Sequence, residues 1–182
     1  DFFVPSTPDT VVRGHIPADR APILRVKPGD TVTIDTLSQT GLNTADGPVA
    51  FFSRGGVRSE EVLQDAVDVY ARVKPPPGMG THVLTGPIYI EGAEPGDMLE
   101  VRVIEIRFRV PYGANTCAKG TGVLPDLLSE PAFKVIHLDV QRRVALMSPE
   151  VEIPLAPFMG IMAVAPPPEQ KIVSSRPPGP FG

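Results

Sequence analysis

Between Thr81 and Val103 the sequence T-H-V-L-T-G-P-I-Y-I-E-G-A-E-P-G-D-M-L-E-V-R-V sets a histidine and several acids among turn-forming glycines and prolines. A neutral imidazole with carboxylates nearby can transfer protons or bind a divalent ion such as zinc. A bound ion can lower the pKa of its water from about 15.7 to about 7, which makes a nucleophile at neutral pH. His82 and Glu91 are the first candidates, and Glu91 is equally suited to ligate an ion or to act as a general base. Asp35 joins them as a third donor. In T-V-T-I-D at 31 to 35 the apolar Val32 and Ile34 share one face, which leaves Asp35 on the polar face with Thr31 and Thr33.

These groups need elements to hold them. Pro87 fixes its own φ and lacks an amide hydrogen, so an extended run is expected from Ile88 to Gly92, with Ile88 and Ile90 on one face and Tyr89 and Glu91 on the other. Glu94-Pro95-Gly96-Asp97 reads as a type II turn, with proline second and glycine supplying positive φ third. Asp97 is therefore read as a structural turn residue. Met98 to Val103 is expected to return as a strand, followed by Ile104, Ile106, Phe108 and Val110 in the opposite phase after a bulge. Lys27-Pro28-Gly29-Asp30, flanked by expected strands at 23–26 and 31–36, repeats the same turn and hints at internal duplication. Further strands are expected at 133–140, 144–147 and 151–155. One prominent helix is expected from an N-cap at Ser59 to the stop at Pro75-Pro76-Pro77, with Asp65 and Asp68 on its solvated face. Residues 111–129 lack periodicity and read as a long functional loop.

Composition narrows the class. The 182 residues carry a net charge of -4, and the basic residues are scattered, which disfavours nucleic acid as a partner. No apolar run approaches the ~20 residues of a membrane-spanning helix. The lone Cys117 excludes an internal disulfide and clusters built on paired cysteines. Twenty-three prolines and 17 glycines punctuate short apolar segments, the pattern of a mainly β fold with many turns. His15 and His137 are expected to be structural, the latter sharing a strand face with Phe133 and Val135. Cys117 and Lys119 could meet along an extended backbone and support covalent catalysis, which ranks second because no flanking motif accompanies them.

G-P-I-Y-I-E-G-A-E-P-G-D at 86 to 97, preceded by T-H-V-L-T, resembles the most recognisable motif of the acetamidase/formamidase family. F-F-V-P-S-T-P-D-T-V at 2 to 11, K-P-G-D-T-V-T-I-D-T-L at 27 to 37 and P-F-M-G-I-M-A-V-A-P at 157 to 166 agree with it in kind and order. Arg13 and His15 depart from it, standing where aromatic residues are expected. Family members continue past P-P-G-P-F-G at 177 to 182 into a second half. The resemblance thus implies a β-sandwich-like domain with one prominent helix over residues 1–182, completed by a second half absent from this chain.

The activity implied is hydrolysis of a short carboxamide, such as formamide or acetamide, to a carboxylic acid and ammonia through metal-activated water. In that reading His82 and Glu91 are catalytic, and His82, Asp35 and Glu91 hold a divalent ion, zinc foremost. Met159, Gly160 and Met162 would wall a small apolar pocket for the substrate. A complementary C-terminal chain and a homo-oligomer are the expected partners, with no nucleic acid and no membrane. Residues 1 to 11 resemble the mature start of exported members, so a periplasmic location is expected, with the cytoplasm as the alternative. The competing expectation is a noncatalytic binding or assembly module that keeps the fold without the activity.

Overall fold

The computed structural model describes residues 1–120, 122–127 and 129–182. Among these residues the fold is mainly β, with short strands and two α-helices. In order these are β1 (Phe2–Val4), β2 (Val11–Arg13), β3 (His15–Pro17), β4 (Leu24–Val26), β5 (Val32–Ile34), α1 (Gly47–Ser53), α2 (Gln64–Arg72), β6 (Val83–Thr85) and β7 (Ile88–Ile90). There follow β8 (Tyr112–Cys117), β9 (Ala132–Asp139), β10 (Val144–Ser148), β11 (Val151–Pro154) and β12 (Ile172–Ser174). The larger sheet is an antiparallel meander in the order β11-β10-β9-β8, and the other strands pair two by two: β1 with β5, β12 with β3, β2 with β6, and β4 with β7.

The pairs β1/β5 and β4/β7 are parallel, with Phe2 opposite Val32 and Leu24 opposite Ile88. Both Pro-Gly turns form as their residues require. The Asp30 N–H donates to Lys27 O at 3.0 Å and the Asp97 N–H to Glu94 O at 3.1 Å, with Gly29 at φ 94° and Gly96 at φ 102°. Each turn is locked by its aspartate, which accepts from the backbone N–H three residues back at 2.7 Å (Asp30) and 2.9 Å (Asp97). Asp97 is thus the structural residue its place in the turn suggests.

Two buried clusters meet at α2. Val11, Leu37, Leu42, Ala66 and Val69 form one, and Phe51, Phe52, Val57, Val62 and Tyr112 the other, with Val67 packed against it. Apolar residues of α2 thus reach both clusters, and each buried aliphatic side chain contributes about 1.5–3 kcal/mol. Phe51 stacks edge-on against Phe52 and against Phe133 of β9, which ties α1 to the meander. Tyr112 packs on Phe52 and donates its hydroxyl to Glu61 O at 3.1 Å. Burial raises the Tyr112 phenol above its ordinary value. A folded pKa above the unfolded one means this stability is fully present below about pH 10 and is lost as pH rises. Tyr112→Phe is therefore expected to cost about 1 kcal/mol at pH 7, with the gap to wild type narrowing above pH 10, read as urea midpoints at both pH values.

Several expectations need correction. Ser59 does not cap the helix: Ser59–Glu61 form a separate 3-10 turn, Val62 and Leu63 are extended, and α2 starts at Gln64. A second helix, α1, hides behind a Gly-Pro start and adjacent phenylalanines. The stretch read as a loop from 111 opens with β8, whose pairing with β9 the weak periodicity of Y-G-A-N-T-C conceals. Met98 to Val103 and Ile104 to Val110 are not assigned to any strand, because no neighbouring strand pairs with them among the described residues. No helix among the described residues is long and apolar enough to cross a membrane.

Candidate active site

Gly14 organises the centre of the candidate site. Its N–H donates to His82 O at 2.8 Å, and its own carbonyl accepts from Gly80 N–H at 2.8 Å and from Ser175 N–H at 2.9 Å. At φ 80°, and with the place of a Cβ only 2.6 Å from Gly80 O, position 14 demands glycine. This crossing carries Ser175 to the side of His82, 93 residues away in sequence. The His82 ring nitrogen Nδ1 lies 2.8 Å from Ser175 O and 3.3 Å from Ser175 Oγ. A carbonyl only accepts, so in the neutral ring Nδ1 carries the proton and Nε2 keeps its lone pair, the tautomer suited to accept a proton or bind an ion. Ser175 itself is fully buried, and nothing local in S-S-R-P-P announces its role.

The close approach makes a testable demand on Gly80. A Cβ there would collide with Ser175 Oγ and sit 2.6 Å from Arg176 N. Gly80→Ala is expected to destabilise the fold by about 1–3 kcal/mol through overpacking. It is also expected to shift the His82 imidazole resonances, since Ser175 must move.

Asp35 has a different neighbourhood from the solvated polar face expected of it. Its carboxylate is 24% exposed, whereas Ile34 is 41% exposed, so the burial order of this strand end is reversed. Asp35 faces Arg109 at 3.4 Å, and the same guanidinium binds Asp65 Oδ2 at 2.5 Å and donates to Ser6 Oγ at 2.8 Å. Ser6, fully buried, completes the network by donating to Asp65 at 3.2 Å. Asp65 therefore belongs to an ion-pair network rather than to a solvated helix face, and only Asp68 behaves as expected, accepting from Gln64 at 2.8 Å. A divalent ion at Asp35 would stand beside an existing cation, which opposes it.

Glu91 follows β7 with its N–H on Val26 O at 2.8 Å and its side chain exposed, as the alternation requires. Met159 and Met162 are exposed on a segment without regular secondary structure, and Gly160 has open space where a side chain would stand. Among the described residues, no group of three or more His, Cys, Asp or Glu side chains is arranged to hold a metal ion. His82, Asp35 and Glu91 are thus not gathered into one ligand set among the described residues.

The departures at Arg13 and His15 have structural partners. Arg13 is buried, and donates to Val73 O at 2.7 Å and Leu42 O at 2.5 Å, joining the end of α2 to the 39–43 loop. His15 Nδ1 meets Arg13 O at 2.9 Å. His137 is exposed and borders a small cleft with Val57, Glu61, Pro111 and Tyr112. Cys117 is half-buried at the end of β8, and Lys119 is exposed.

A sequence model of the acetamidase/formamidase family matches residues 63–175, the stretch that contains His82, Glu91 and Ser175. No curated protein matches the chain. Among solved structures, the chain is similar to an acetamidase from Bacillus halodurans at 23% identity and a TM-score of 0.67, over 99% of this chain and 51% of that one. It is also similar to a recombinant protein described as a predicted acetamidase/formamidase, from Thermoanaerobacter tengcongensis. That match has 23% identity and a TM-score of 0.55, over 91% of this chain and 46% of that one. Both likenesses show the shared fold, and the chain spans about half the length of each relative. With well over half of its residues inside the family match, this chain belongs to the acetamidase/formamidase family.

Proposed function

We propose that this chain is one half of an amide hydrolase that converts a short carboxamide, such as formamide or acetamide, and water to a carboxylic acid and ammonia. The observation that carries this reading is the His82 imidazole, anchored through Nδ1 to Ser175 O inside the family-matched stretch, with Nε2 free to hold a proton. In the reaction, water adds to the carboxamide carbon while Nε2 takes its proton. The tetrahedral adduct then collapses with cleavage of the C–N bond, and the same proton passes to the departing nitrogen, which leaves as ammonia. The Ser175 carbonyl stabilises the transient imidazolium by accepting from Nδ1–H, as an orienting group does for a catalytic histidine.

Glu91 is assigned to the same site as a second base or as a ligand, presented outward at the end of β7. A divalent ion, zinc foremost, enters this reading only with donors from outside the chain, and no step above runs through it. Met159, Gly160 and Met162 would then form one wall of a substrate pocket whose opposite wall comes from a complementary C-terminal half. Homo-oligomer formation and a periplasmic location complete the proposal.

The test is ammonia release from formamide and acetamide by the assembled protein, with elemental analysis before and after chelation. Saturable release supports the hydrolase. Metal-free protein without release would instead support a noncatalytic module built on the same fold.

A further inference from the structure

The two Pro-Gly turns sit in the same structural setting twice. β4 leads into Lys27–Asp30 and then β5, and β7, parallel to β4 and in register with it, leads through Glu91-Gly92-Ala93 into Glu94–Asp97 and then Met98–Val103. Aligning the turns places Thr31 with Met98, Val32 with Leu99, Thr33 with Glu100, Ile34 with Val101 and Asp35 with Arg102. Apolar residues coincide with apolar residues in the same phase. After the first turn, β5 is paired in parallel by β1, with Phe2 opposite Val32 and Val4 opposite Ile34. That pairing is bracketed by bonds from Phe2 N–H to Thr31 O at 3.1 Å and from Asp35 N–H to Val4 O at 2.9 Å.

After the second turn, the corresponding position is empty among the described residues. Met98 to Val103 belongs to no sheet among the described residues, and Glu100 and Arg102, two residues apart as same-face neighbours of an extended chain are, form an ion pair at 3.0 Å. Glu105 and Arg107 do the same at 2.9 Å. The other face is apolar and open, with Leu99 47%, Val101 55% and Val103 51% exposed. A stretch of unpaired backbone with an apolar face is a template for strand addition. It lies outside both buried clusters, so its order has to come from outside them.

We propose that Met98–Val103 is an open strand position onto which the complementary half of the fold adds a parallel β-strand, in the register that β1 takes on β5. This rests on the proposed existence of that half, which the doubled length of the solved relatives supports. The register makes the occupant specific. Its first residue stands opposite Leu99 and its third opposite Val101. Met98 O accepts its first N–H, and Arg102 N–H donates to its third carbonyl. In a parallel pair alternate residues face the partner, so the amides of Glu100 and Arg102 point to the incoming strand and those of Leu99 and Val101 point away. The occupant is an apolar, β-branched or aromatic segment of the kind represented by Phe2–Val4.

The experiment combines this chain with the companion polypeptide from the same source that matches the other half of the solved relatives. Hydrogen exchange is followed at single amides, alone and in the complex. The expected result is a complex in which the Glu100 and Arg102 amides exchange at least tenfold more slowly. Arg102→Pro should weaken it at least tenfold, whereas Arg102→Ala, which keeps the N–H, should bind within about threefold of wild type. The isolated Arg102→Pro chain should unfold at the wild-type temperature. A stable complex with no slowing at Glu100 and Arg102 would overturn the strand position and leave the two-half reading standing. Failure of the two polypeptides to associate would overturn both.

Discussion

Replacing His82 with alanine is expected to lower kcat/KM for acetamide hydrolysis by the assembled protein about 10²–10⁴-fold, the range set by loss of a positioned acid-base group. The fall should appear in kcat, because the group handles a proton in the transition state and binds no inert part of the substrate. Ser175→Ala provides the comparison. It removes the hydroxyl 3.3 Å from Nδ1 but keeps the carbonyl at 2.8 Å, so the tautomer persists and activity should stay within about threefold of wild type. Steady-state ammonia release, with thermal unfolding of each variant alongside, separates chemistry from folding. Equal activity in the His82→Ala and wild-type assemblies would remove His82 from the reaction.

The second large effect concerns stability. Arg109→Met leaves Asp35 and Asp65 facing each other without their shared cation and strips the buried Ser6 hydroxyl of a donor. Removing one partner from a buried ion pair costs about 3–5 kcal/mol, and the partial exposure of this network reduces the expectation to about 2–3 kcal/mol. Adding Asp65→Asn should recover part of that loss, since the uncompensated charge is then removed. Urea unfolding of the single and double variants measures both numbers. If the network is purely structural, Arg109→Met assemblies that remain folded should keep wild-type kcat. A large loss of kcat without loss of stability would instead place Asp35 in the chemistry.

What could be seen in the sequence was what local physics determines. Pro28-Gly29 and Pro95-Gly96 specify their turns through one fixed φ and one positive φ, and Asp30 and Asp97 close them within four residues. The strands from 132 to 154 were legible because alternation runs long enough to count. The three-residue strands β1, β2, β3, β6 and β12 offer no such run, and each is defined by a partner distant in the chain. Alternation from Met98 to Val103 reads as a strand, but a strand also needs a neighbour, and none pairs with this segment among the described residues.

The site divides in the same way. His82 and Glu91 stand out through residue type and turn context, and the exposure of Glu91 follows from the alternation of β7. The surroundings of Asp35 were not legible, because they are set by Arg109 and Asp65, which approach from other elements. Ser175, the group that selects the His82 tautomer, reaches it only through the crossing at Gly14. No spacing rule connects residues joined by such a crossing.

The most direct measurement is the long-range proton–nitrogen correlation spectrum of the His82 imidazole at neutral pH, assigned with His82→Gln. A proton on Nδ1 and an unprotonated Nε2, with Nε2 perturbed when acetamide is added to the assembled protein, is the predicted result. An Nε2-protonated ring, or one that acetamide leaves unchanged, would contradict the assignment of His82 as the proton-handling group.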